Sequence, residues 1–114
     1  MAGHTGAMYN LAVLLKDSDR EAARDWYERA ANAGHTGAMN NLAVLLKDSD
    51  REAARRWFER AANAGDTDAM NNLGLLIAGD DPVGAYTWFQ RAATADHAEA
   101  MNNLRALLAR GPFR

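Results

Sequence analysis

The sequence predicts an all-α protein, folded as a right-handed α-solenoid of helix-turn-helix repeats. Two observations predict this fold: a 31-residue repeat that runs through most of the chain, and apolar residues at helical spacing within each copy. A single copy has no partner for its apolar faces, so the copies must stack on one another. We expect three two-helix repeats followed by a C-terminal capping helix.

The repeat is most regular at its start. Residues 2–32 differ from residues 33–63 at only three positions, which are Tyr9/Asn40, Asp25/Arg56 and Tyr27/Phe58. Residues 64–94 keep 16 of the 31 letters of the second copy. Residues 95–114 keep the first half of the unit and end in "RGPFR". We expect one repeat domain over 1–114, in which 95–114 is a half repeat that caps the array.

Each repeat reads as two amphipathic helices. In the second copy, Met39, Leu42 and Leu46 share one arc of the first helix. Trp57 and Phe58 share an arc of the second helix, and the equivalent tryptophans of the other copies are likewise expected to pack inside. Arg and Glu occupy the opposite face, where ion pairs in water are expected.

Residues typical of helix ends mark the boundaries. Thr5, Thr36 and Thr67 can cap first helices, and the serines of "SDRE" at 18–21 and 49–52 match a capping box. In the third copy "DDPV" replaces that box, which predicts an Asp cap with proline in the first turn. Glycines 34 and 65 are expected to end the second helices in a left-handed conformation.

The repeat resembles a known family. The pattern is A-x3-L-[AG]-x2-[LI] followed by A-x2-W-[YF]-x-R-A-A-x2-G, carried here by Ala38, Leu42, Ala43, Leu46, Ala54, Trp57, Phe58, Arg60, Ala61, Ala62 and Gly65. It is similar to the Sel1-like repeat, a relative of the tetratricopeptide repeat, although the turn "KDSD" is shorter than is usual there. The resemblance implies a protein-binding scaffold whose first helices line a concave face, where asparagine ladders hold peptides.

Paired asparagines recur in the first helices, at positions 10, 40, 41, 71, 72, 102 and 103. Each costs about 0.5 kcal/mol of helix propensity, so some interaction should compensate for them. Asn10, Asn41, Asn72 and Asn103 lie at the edge of the apolar arc. They either bond a neighbouring helix or pair with the backbone of an extended peptide, because an amide offers both a donor and an acceptor. Asn40, Asn71 and Asn102 lie farther from that arc, and we expect them to be exposed.

The candidate peptide-binding face combines these amides with the other residues of the same helix face. It consists of Tyr9, Asn10, Val13, Lys16, Asn40, Asn41, Val44, Lys47, Asp68, Asn71, Asn72, Leu75, Asn102 and Asn103. With Glu99 beside Asp68, the face is basic toward the first two repeats and acidic toward the last two. We expect a partner with a matching charge gradient.

Other function classes lack the residues they need. The net charge of −2 gives no attraction to nucleic acid or an anionic membrane, and no cysteine is present. His4, His35 and His97 stand one or two repeats apart, so we expect loop or cap residues and no metal site. We expect no catalytic residues and no cofactor. No apolar run spans a bilayer, and no signal peptide is evident, which favours a cytoplasmic protein.

One alternative comes from the N-terminal edge. Met8 and Leu11 have no preceding second helix to cover them. The chain is then either a piece of a longer protein or a module that self-associates through this edge. In that alternative, the protein is a structural module, natural or engineered, without a ligand on its first-helix face.

Overall fold

The computed structural model describes the backbone of residues 2–110 and the side chains of residues 4–110. This part of the chain contains helices and no strands, in agreement with the predicted all-α fold. The helices are α1 (Ala2–Leu15), α2 (Arg20–Asn32), α3 (Thr36–Leu46), α4 (Arg51–Asn63), α5 (Thr67–Ile77), α6 (Pro82–Thr94) and α7 (Ala98–Ala109). Three helix pairs and a single last helix are therefore confirmed. The "GPFR" end of the predicted cap lies outside the described residues.

The helices form two compact units, Met1–Ala61 and Ala62–Arg114. In the first unit α2 packs against both α1 and α3, and in the second unit α6 packs against both α5 and α7. In both units, α2 and α6 thus contact the first helices on either side of them, which is the stacking that a repeat array requires. A single domain over 1–114 stays a prediction.

The core of each unit is built from alanines of both helices and one aromatic residue per second helix. Tyr27, Phe58 and Phe89 are the largest fully buried side chains. The tryptophans were expected to pack inside, but all three are only half-buried. An arginine three residues on places its guanidinium 4.7–4.8 Å from each indole ring, in the pairs Trp26–Arg29, Trp57–Arg60 and Trp88–Arg91. The indole therefore covers the edge of the core and binds a cation with its outer face.

The expected caps are wrong by one residue. Asp19 and Asp50, rather than the preceding serines, accept the N–H groups of Ala22 and Ala53 at 3.1 Å. The serine N–H groups instead bond the last carbonyls of the preceding helices, so Ser18 belongs to the turn. The helices α3 and α5 are likewise capped one residue before their threonines, by His35 and Asp66, and His97 caps α7. The expected cap Thr5 lies inside α1. His35 and His97 are cap residues, as expected, whereas His4 lies inside α1.

The remaining boundary predictions are confirmed. Asp81 caps α6, and Pro82 stands in its first turn. Gly34 and Gly65 have φ values of 95° and 97°. In the third pair Asp96 takes the same position with φ 67°, which is a costly conformation for a residue with a Cβ atom. No helix in the described part of the chain is long and apolar enough to cross a membrane.

Candidate functional site

The predicted site residues lie on first helices or directly after them, on α1 and α3 in the first unit and on α5 and α7 in the second. Their exposure varies. Exposed side chains are those of Asn10, Lys16, Val44, Lys47, Asp68, Leu75 and Asn102, and half-buried ones are those of Tyr9, Val13, Asn40, Asn41, Asn72 and Asn103. Only Asn71 is buried. Thirteen of the fourteen predicted residues are therefore at least partly accessible to solvent in their own unit.

In the first unit, Asn41 joins three helices. Its Nδ2 donates to the Tyr9 hydroxyl at 3.3 Å and to the Tyr27 hydroxyl at 3.4 Å. The Tyr9 ring also stacks on His35, with centroids 4.5 Å apart and planes 17° apart. The amide therefore connects α3 to α1 and α2, which supports the helix-tie interpretation for this edge asparagine.

Burial sets the acidity of this cluster. Desolvation raises the pKa of the Tyr27 phenol above its ordinary value of 10.0, while the hydrogen bond from Asn41 acts in the opposite direction. The nearby Tyr9 and Asp17 raise the Tyr27 pKa further through charge repulsion. Tyr27 is therefore a neutral hydroxyl at physiological pH.

In the second unit, Asn71 is the residue that departs from expectation. Its side chain was expected to be exposed, but it is only 2% exposed. Its Oδ1 accepts a hydrogen bond from Asn103 Nδ2 at 2.8 Å, and its Nδ2 donates to Glu99 Oε2 at 3.3 Å. The expected exposure of Asn71 is wrong because α7 supplies two polar partners that cover the amide and satisfy it.

A second contact joins the starts of α5 and α7. His97 Nε2 lies 2.7 Å from Asp68 Oδ1. The other ring nitrogen of His97 accepts the N–H of Ala100 as the cap of α7. A neutral ring that accepts at Nδ1 carries its proton at Nε2, so Nε2 donates to the Asp68 carboxylate. Sequence reasoning missed this pair, because a distance of 29 positions along the chain gives no local signal.

Asp68 and Glu99 are consequently two oriented carboxylates at equivalent repeat positions. Each is exposed, and each has one oxygen held by a neighbour, His97 or Asn71. The equivalent residues of the first two repeats are glycines. Carboxylates held in place lose less side-chain entropy when a cation binds, so this arrangement suits a lysine or arginine side chain.

Apolar side chains complete the accessible face. Val44 is 39% exposed and Leu75 is 50% exposed, at equivalent positions of α3 and α5. These side chains can contact a partner's apolar groups without rearrangement of the core. Within the described residues, no three His, Asp or Glu side chains form a group able to hold a metal ion.

The outer face of α1 is a further accessible apolar surface. Leu14 is 77% exposed. Met8 and Leu11 are half-buried, whereas Met39 and Leu42, their counterparts on α3, are buried against their neighbours. The expectation that Met8 and Leu11 lack full cover is confirmed.

Comparisons with known proteins agree with the repeat architecture. The sequence model of the Sel1 repeat matches residues 5–35, 37–66 and 67–97. A search of curated proteins gave no significant match. One similar solved structure is a protective antigen of uropathogenic Escherichia coli strains with an SLR fold, at 26% identity and a TM-score of 0.90. The match covers 96% of this chain but only 27% of that one. A Sel1 repeat protein from Oxalobacter formigenes is 25% identical with a TM-score of 0.79, over 92% of this chain and 90% of its own.

Proposed function

Because the chain belongs to the Sel1 repeat family, whose repeats are generally protein–protein interaction modules, we propose that it is a non-enzymatic scaffold for a protein partner. The partner contributes an extended segment that lies on the first-helix faces. Proteins of this family are typically scaffolds without catalytic activity. A cytoplasmic location, and the absence of nucleic-acid and membrane partners, stay predictions that rest on composition alone.

The observation that carries this proposal is the pair of oriented carboxylates, Asp68 and Glu99. Both lie in the first turn of their helices, where a negative charge is favourable, but the caps themselves are Asp66 for α5 and His97 for α7. The positions of the two carboxylates hold glycine in the first unit, so the acidic character is specific to the second unit. A partner segment with lysine or arginine is the ligand that this surface favours.

The asparagines contribute to the proposed face with fewer of their polar atoms than the sequence analysis expected. The Nδ2 groups of Asn41 and Asn103 already donate to groups on neighbouring helices. Their Oδ1 atoms are then the atoms available to accept a peptide N–H. In the second unit, the Asn103 amide would position the segment, and the two carboxylates together with Leu75 would select its side chains.

The test is binding of the intact protein to a peptide array, followed by titration of the strongest peptides. We expect the selected peptides to be basic. The double variant Asp68→Asn with Glu99→Gln should bind these peptides about tenfold more weakly, a loss of about 1.4 kcal/mol of binding free energy. Both substitutions keep an oxygen that can accept from His97 and Asn71, so only charge is removed.

The control is Asp25→Asn with Glu28→Gln, which removes the same charge at two exposed positions of α2, outside the proposed face. Equal weakening by the two double variants would show a general charge effect and contradict the proposed site. An array without any bound peptide would contradict the proposed function itself.

Self-association through the outer face of α1 is a second candidate, favoured by the exposure of Leu14. Sedimentation velocity over a wide concentration range tests it. A mass that rises with concentration in the protein, but not in Leu14→Lys, would support it, and a monomer at every concentration would oppose it.

A further inference from the structure

A cleft of about 280 Å³ lies in the second unit, between the C-terminal halves of α5 and α7. Its apolar wall is formed by Leu75, Phe89, Ala106 and Leu107. Asn103 and Arg110 contribute its polar atoms. The cleft therefore combines an apolar surface with one amide and one cation, which is the composition of a small selective pocket.

The repeat shows what opened this cleft. Three positions of the second unit hold residues smaller than their counterparts in the first unit, namely Ala78 for Lys16, Gly79 for Asp17 and Ala106 for Val44. Each replacement removes side-chain atoms from the lining. Phe89 also stands in place of Tyr27, so the wall has lost a hydroxyl. At one lining position the change goes the other way, since Leu75 replaces the smaller Val13 and adds apolar surface.

The charge at the edge of the cleft also differs in sign from that at the equivalent position of the first unit. Arg110 occupies the position that Asp48 holds in the first unit. Its side chain makes no ion pair or hydrogen bond with any other described residue, and it is exposed. An unpaired guanidinium at the edge of an apolar hollow is well placed to bind a carboxylate.

We infer that this cleft is a side-chain pocket for a partner segment in which an aliphatic residue is followed by an acidic one. The inference rests on the proposed function, since the pocket lies on the same helix face. The aliphatic side chain would contact Leu75 and Ala106, the carboxylate would pair with Arg110, and the Asn103 Oδ1 would accept a backbone N–H.

The spacing along α7 sets the spacing in the ligand. Glu99 stands seven residues before Ala106, which is about 10 Å of helix, and Arg110 stands about 6 Å beyond Ala106. An extended chain advances about 3.3 Å per residue. The segment should therefore carry a basic residue, an aliphatic residue about three positions later, and an acidic residue about two positions after that.

The probe is a capped hexapeptide with Lys first, Leu fourth, Glu sixth and Ser elsewhere, titrated into the intact protein. We expect replacing its Leu by Gly, or filling the cleft with Ala106→Leu, to weaken binding by about tenfold. Ala109→Leu is the matched control, because Ala109 is exposed on the same helix and does not line the cleft. Arg110→Gln should weaken the Glu peptide but not its Gln counterpart, while Arg56→Gln should change neither.

Failure of the pocket and failure of the proposed function give different results. If the hexapeptide binds and Ala106→Leu has no more effect than Ala109→Leu, the pocket is refuted while the binding face stands. N-acetyl-Leu-Glu, added at millimolar concentration, probes the cleft alone through NMR shifts of the Leu75 and Leu107 methyl groups. Shifts with this dipeptide but no binding of longer peptides would retain the pocket and reject the extended face. Absence of both would overturn the two together.

Discussion

Among the described residues other than glycine, Asp96 is the one with a positive φ, at 67°. Gly34 and Gly65 take the same repeat position, with φ values of 95° and 97°. Aspartate tolerates this region better than most residues, but the Cβ atom still crowds the following carbonyl. The residue therefore stores a small strain at the turn before α7.

Asp96→Gly should raise the free energy of unfolding by about 0.5–1 kcal/mol, because glycine adopts positive φ without that crowding. Urea denaturation measures the change. The reciprocal control is Gly65→Asp, which should lose stability, since a Cβ atom at Gly65 meets no neighbour and only the backbone conformation opposes it. Equal stability of wild type and Asp96→Gly would contradict the strain argument.

Tyr27 makes stability depend on alkaline pH. Its folded pKa is raised above 10.0 by burial, so the folded state holds the phenolic proton more tightly than the unfolded chain does. The resulting stabilisation is complete below the pKa of Tyr27 in the unfolded chain. It is lost as the pH rises through the higher pKa of Tyr27 in the folded state. Tyr27→Phe, which copies Phe58 and Phe89, should flatten the fall of the melting temperature between pH 9 and pH 11. Parallel curves for the two proteins would contradict this prediction.

At the scale of helices, the contact between α5 and α6 depends on Gly74. A Cβ atom built there would lie 2.5 Å from Cε1 of the buried Phe89 ring, so the ring or α6 would have to shift to admit it. The close approach of the two helices therefore requires the missing side chain.

Gly74→Ala should cost about 1–3 kcal/mol, the usual range for overpacking a core. Gly79→Ala is the matched control in the same unit, since a Cβ atom there meets nothing within 4 Å and its φ is not positive. We expect Gly79→Ala to leave the free energy of unfolding unchanged or to raise it slightly. Thermal melting of the two variants tests this, and similar melting temperatures would show that α6 can shift away.

The tie between α5 and α7 depends on Asn71. Asn71→Ala leaves Asn103 and Glu99 without their partner and should lower the free energy of unfolding by about 1 kcal/mol, even after the gain in helix propensity. Asn10→Ala removes an asparagine that is exposed on α1, so only the propensity gain of about 0.5 kcal/mol remains. A lower free energy of unfolding for Asn71→Ala and a higher one for Asn10→Ala would support the tie between α5 and α7. A gain in both would mean that Asn71 contributes nothing to helix packing.

At the scale of the whole molecule, the first-helix positions carry Lys16 and Lys47 in the first unit and Asp68 and Glu99 in the second. Lys47→Glu with Asp68→Lys exchanges these signs and keeps the net charge at −2. Peptides selected by the wild type should then bind about tenfold more weakly at low salt, and the difference should shrink as salt screens the charges. Titration at two salt concentrations measures it. Indifference to the exchange would contradict the expected charge gradient of the partner.

Much of the architecture follows from local signals in the sequence. The repeat period, the apolar arcs and the glycines at 34 and 65 predict the number, type and ends of the helices. The caps were missed by one residue because serine and aspartate are adjacent, and only the backbone conformation decides which of them faces the helix. A signal for the Tyr9–Asn41–Tyr27 cluster was also present, since Tyr9 and Tyr27 are two of the three differences between the first two repeats.

The sequence by itself determined an all-α repeat fold and the helix face on which the candidate residues lie, because helical periodicity is a property of consecutive residues. The tertiary structure decided which of those residues are exposed. Asn71 and Asn40 occupy the same repeat position, yet only Asn71 is buried, since its environment depends on Asn103 and Glu99 of another helix. The cleft beside Arg110 was likewise settled by packing, because its volume results from small side chains on separate helices that meet only in the folded unit.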